Sequence, residues 1–66
     1  MLSDEINDDE KKMIGMLAKG YSPSLIAGKM IMRVPEVHTQ LRSIRKRTGI
    51  KTNCQLVYMA VMEDLI

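Results

Sequence analysis

Apolar positions recur every three or four residues along most of the chain, and turn-forming residues interrupt that rhythm, so the pattern predicts helices and no strands. Asn7-Asp8-Asp9-Glu10 joins an N-cap residue to a Glu three positions later, with acids in the first turn where the helix dipole favours them. A first helix therefore starts after Asn7, with Met13, Ile14, Leu17 and Ala18 facing inward. Lys19-Gly20 ends it with a cationic last turn and a glycine suited to the left-handed position beyond the helix. Gly15, in its middle, costs about 1 kcal/mol against Ala and points to close packing or to mere tolerance. Met1 to Glu5 has no periodicity and reads as a loose arm.

Ser22-Pro23 repeats the start signal, and a short second helix runs from Pro23 to about Met30 with Ile26, Ala27 and Met30 inward. Ile31 to Val34 makes a tight connection before Pro35 and Glu36 open a third helix, which ends at Thr48-Gly49-Ile50. On that helix, at about 100° per residue, Val37, Leu41, Ile44 and Thr48 form one stripe. Pro35, Thr39, Arg42 and Lys46 form the opposite one, flanked by His38 and Arg45. Thr52-Asn53-Cys54-Gln55 is a second capping box and starts a fourth helix that runs to about Glu63.

The fourth helix is apolar on every side from Leu56 to Met62. A domain core can cover Leu56, Met59 and Ala60, but Val57, Tyr58, Val61 and Leu65 have nothing left to pack against in so short a chain. A symmetric homodimer through these four residues is the natural cover. With 66 residues the chain makes one domain, 1–66, that buries only about 60% of its unfolded surface. There is no Phe or Trp and there are seven Met, so the core is aliphatic and thioether.

Charge adds direction to this picture. Residues 1–12 carry five acids against Lys11 and Lys12, a net −3, whereas residues 33–51 carry six Lys and Arg against Glu36, a net +5. The positive charge thus gathers on and around the third helix, opposite its apolar stripe. A rod of fourteen helical residues, about 21 Å long, is slim enough to enter the roughly 12 Å major groove of duplex DNA. A solvated helix face is the bland alternative for any basic run, and at Arg45 and Lys46 phosphate contact and ordinary surface charge look alike in sequence.

One cysteine, Cys54, excludes an internal disulfide, fits a reducing compartment and is expected to pack at the start of the last helix. No apolar run approaches the roughly 18 residues of a membrane span and the acidic start is no secretory leader, so a cytoplasmic location is expected. A single His and a single Cys without ligand spacing offer no metal site, and no nucleophile and base can be paired, so neither cofactor nor enzyme activity is expected.

The ordered set of motifs resembles the LuxR/GerE-type helix-turn-helix domain of bacterial transcription regulators. Glu10, Ala18-Lys19-Gly20, Ser22, Ile26-Ala27, Val37, Arg45-Lys46-Arg47-Thr48-Gly49-Ile50 and Gln55-Leu56-Val57 match its pattern without a gap across Ile6 to Ile66. The resemblance implies an all-α domain of four helices that binds double-stranded DNA through the third and dimerises through the fourth. By position it implies base reading by His38, Thr39 and Arg42 and backbone contact by Arg45, Lys46 and Lys51. The chain departs from the pattern at Glu36, where Thr is usual, at Ile31, where a small or polar turn residue is usual, and at Arg33, where Ser caps the helix. Leu25 and Gly28 stand where charged residues are common.

Two functions of different classes follow. One is a DNA-binding transcription regulator acting as a homodimer. The other is a degenerate helix-turn-helix that pairs with a related regulator as a heterodimer, through the fourth helix or through Leu25, and alters its DNA binding.

Overall fold

Three of the four helices begin where a side-chain oxygen accepts one of their first free N–H groups. In the computed structural model, which describes residues 2–66, a 3₁₀ turn at Leu2–Asp4 precedes α1 (Asp8–Ala18), α2 (Pro23–Met30), α3 (Val34–Thr48) and α4 (Asn53–Met62). No strand occurs among the described residues, so the fold is all-α with four helices. Asn7 Oδ1 accepts the Glu10 N–H at 2.8 Å and Glu10 Oε1 accepts the Asn7 N–H at 2.9 Å, a complete capping box. Ser22 Oγ accepts the Leu25 N–H at 3.2 Å.

Two starts differ from expectation. Thr52 Oγ1 accepts the Gln55 N–H at 3.0 Å, but Gln55 Oε1 reaches past Thr52 to the Lys51 N–H at 3.3 Å, so only half of the expected box forms. α3 begins at Val34 rather than Pro35. Pro35 then occupies the second helical position, which is still within the turn whose N–H groups lack helical partners. The cap residue Arg33 has no side-chain acceptor, and Glu36 Oε1 instead takes the Arg33 N–H at 3.3 Å.

All four helices end by one device. The second or third residue beyond each helix donates its N–H five residues back: Tyr21 to the Met16 carbonyl at 3.1 Å, Met32 to Ala27 at 2.8 Å, Ile50 to Arg45 at 3.1 Å and Leu65 to Ala60 at 2.9 Å. These are Schellman closures, in which a left-handed residue turns the chain so that an apolar follower folds back. Tyr21, Met32, Ile50 and Leu65 all pack against the core. Gly20 and Gly49 fill the left-handed position at φ 83° and 75°, whereas Ile31 and Asp64 fill it at φ 56° and 60°.

The core is wholly apolar, with Met13, Ile14, Ile26, Val37, Leu41, Ile44, Leu56 and Ala60 at its centre and no buried polar residue among those described. α2 packs chiefly on α3 and α1 on α4. The predicted inward stripe of α3 is the observed one: Val37, Leu41 and Ile44 are buried, and the half-buried Thr48 donates its hydroxyl to the Ile44 carbonyl at 2.8 Å.

Several expectations are corrected by this packing. Residues 2–5 of the expected loose arm are held down, because Leu2 is buried, as is Ile6 just beyond them, and the Leu2 N–H donates to Glu63 Oε1 at 2.9 Å, tying the start of the chain to the end of α4. Met1, the first residue of that expected arm, lies outside the described residues. Ala18 and Cys54 are exposed rather than packed, and both line a shallow groove between α1 and α4 together with Leu17 and Val57. Gly15 is covered by the tail, whose Ile66 Cγ2 lies 3.7 Å from where a Cβ would stand.

Candidate nucleic-acid interface

The burial of Val37, Leu41 and Ile44 turns the opposite arc of α3 outward. His38, Thr39, Arg42 and Lys46 all lie exposed on that arc, as the sequence leads one to expect. His38, Arg42 and Lys46 stand one turn apart in succession, so three donor-bearing side chains line up along the helix axis. None of the three hydrogen-bonds through its side chain to a described residue, which leaves them available to an external acceptor.

Thr39 is differently placed. Its hydroxyl donates to the Pro35 carbonyl one turn back at 2.9 Å, which leaves the methyl group and an oxygen lone pair for a ligand. The two remaining arginines of the basic run are drawn into the fold. The half-buried Arg45 donates from Nη1 to Asn53 Oδ1, joining α3 to the start of α4. Arg47 donates from Nη2 to Glu10 Oε2, joining the end of α3 to the start of α1. Arg45 retains further N–H groups on the same guanidinium, whereas its aim is set by Asn53. Lys51 lies exposed on the loop between α3 and α4, clear of the helical arc.

Two residues of this face escaped the sequence reading, Ser43 and Gln40. Ser43 is exposed one turn beyond Thr39, and Gln40 is exposed beside it. Gln40, Glu36, Thr39 and Pro35 line a shallow depression over the first two turns of α3. Their helical spacing marked them as outward, but their lack of positive charge drew no notice.

The last helix, α4, presents Tyr58, Val61 and Met62 at 61, 52 and 65% exposure. Tyr58 and Val61 are therefore uncovered as expected, and Met62 joins them. Val57 and Leu65 are not: both are half-buried and pack against the core. Leu65 is turned inward by the left-handed Asp64 and the closure onto Ala60, a reversal that the apolar run of the sequence hides.

Among the described residues no three His, Cys, Asp or Glu side chains gather where a metal ion could be held. No helix is long and apolar enough to cross a membrane. No protein-family model, curated protein or solved structure matches the chain.

Proposed function

We propose that this chain is a DNA-binding transcription regulator of the LuxR/GerE type that lays α3 in the major groove and works as a homodimer joined through α4. The observation that carries this reading is the partition of charge on α3: His38, Arg42 and Lys46 point outward without partners, while Arg45 and Arg47 are spent on holding the helix in place. An arc so composed meets a polyanion with donors already aimed and on a rigid element. Arg42 offers the planar fork that engages guanine O6 and N7, the Thr39 methyl suits a thymine methyl, and Lys46 suits a phosphate. The exposed Tyr58, Val61 and Met62 supply the apolar face of a two-fold contact, which would present two copies of α3 to two half-sites. Such a regulator works in the cytoplasm and needs no cofactor.

A second reading is favoured by a different observation. Ile31 is 93% exposed and Leu25 45% exposed, so the helix-turn-helix itself carries uncovered apolar groups. A protein-interaction module that pairs with a related regulator accounts for them. Titration of duplexes selected from random DNA, and of scrambled ones, at several salt concentrations separates the two. Affinity that falls steeply with salt supports groove binding. Retention of neither duplex at any salt removes it and leaves the interaction module.

A further inference from the structure

The face proposed to enter the groove carries one charge of the wrong sign. Glu36 is exposed on the first turn of α3, and its Oε1 is held by the Arg33 N–H at 3.3 Å. The carboxylate is thereby fixed to the helix start rather than free to swing away. Its Oε2 hydrogen-bonds to no described residue, and no Lys or Arg pairs with it. The neighbours that share its depression, Pro35, Thr39 and Gln40, bring no cation.

An ionised carboxylate only accepts hydrogen bonds. Brought against DNA it is repelled by phosphates and by the acceptor edges of guanine and thymine, and losing its water there is costly unless a donor replaces it. In the major groove cytosine presents its N4 amine alone, whereas adenine sets an acceptor, N7, beside its N6 amine. Cytosine is therefore the base edge that satisfies Glu36 without opposing it.

We propose that Glu36 is a specificity-determining residue that selects a cytosine by accepting its N4 amine and penalises guanine or thymine at that position. This rests on the groove-binding reading above and adds to it a residue whose charge, taken alone, argues against DNA.

The test compares the full chain with Glu36→Gln, which keeps a carbonyl for the Arg33 N–H and so keeps the helix cap. Sites are selected from random duplexes with each protein, and affinities are then measured on the parent's site and on versions with the other base pairs at each position. The parent is expected to require a cytosine at one position and to lose at least about tenfold when guanine or thymine replaces it. Glu36→Gln is expected to shrink that loss to less than about threefold and to bind scrambled duplexes more tightly, because a repulsive charge is gone. If the parent binds with salt dependence but Glu36→Gln selects the same bases with the same penalties, Glu36 is only a helix cap and the inference falls alone. If the parent retains no duplex, it falls together with groove binding.

Discussion

The Arg47 guanidinium on α3 donates to the carboxylate of Glu10 on α1, 37 residues earlier in the chain. Glu10 accepts the Asn7 N–H at the same time, at 2.9 Å, so one carboxylate caps the first helix and anchors the end of the third. Between Arg47 and the Arg45–Asn53 contact on its other flank, α3 is fixed about its own axis, and its outward arc is fixed with it.

Arg47 and Lys46 are adjacent cations with different work. Arg47→Ala is expected to cost under about 1 kcal/mol, because the arginine side chain is 45% exposed and solvent screens the pair. Glu10→Ala is expected to cost more, about 1 to 2 kcal/mol, because it removes half of a capping box as well. Denaturant titration measures both. Neither change should alter the salt dependence of DNA binding, and a slope reduced by Arg47→Ala would mean that the arginine leaves Glu10 for a phosphate.

At the turn between α2 and α3, Ile31 holds a left-handed backbone at φ 56° and ψ 54° with its side chain 93% exposed. A β-branched residue is strained there by about 1 to 2 kcal/mol and gains no burial in return. Ile31→Gly is therefore expected to raise stability by about 1 kcal/mol, which for a chain this small moves the melting temperature by about 4 to 8 °C. A lowered melting temperature would mean that the Ile31 side chain contributes packing that its exposure conceals.

Helix starts were legible because Asn7, Ser22 and Thr52 are polar groups whose only local work is to cap, and two ends were legible because glycine marks them at Gly20 and Gly49. The ends at Ile31 and Asp64 were harder. There the closure is driven by burial of the following Met32 and Leu65, not by any ease of the left-handed residue itself. Fourth-helix cover was misjudged at Leu65 for the same reason, since a turn residue decides which way the tail folds, and at Val57 because its packing against the core arises only once the helices meet. On α3 the outward arc was readable from the 3.6-residue period alone. The commitment of Arg45 and Arg47 to Asn53 and Glu10 was not, because such partners meet only once the helices have packed.

The apolar face on α4 makes its own prediction. Val61→Glu should leave the helical circular dichroism intact, since Val61 is 52% exposed, and should shift sedimentation toward monomer. Leu65→Ala should do the opposite, lowering stability by about 1 to 2 kcal/mol through lost core contact while leaving association in place. A parent that is already monomeric at high micromolar concentration removes the homodimer.

Arg42 and Lys46 divide the proposed DNA contact between reading and holding. Both are exposed and unpartnered on the same arc, one turn apart, so a difference between them reflects the chemistry of the head group rather than its accessibility. The guanidinium of Arg42 can engage guanine O6 and N7 together through two parallel N–H groups, an arrangement that only one base edge offers. The ammonium of Lys46 is a compact charge that any phosphate satisfies. Arg42→Ala is accordingly expected to cost about 1 to 3 kcal/mol on a selected site and to relax preference at one base pair, with little loss on scrambled DNA. Lys46→Ala should weaken selected and scrambled duplexes alike and lower the salt slope by about one unit. Fold and association should be indifferent to both, because neither side chain touches the core or the exposed stripe of α4. Equal losses on selected and scrambled duplexes for Arg42→Ala would place that arginine on the backbone and move base reading to the other outward residues of α3, Glu36 and Gln40 among them.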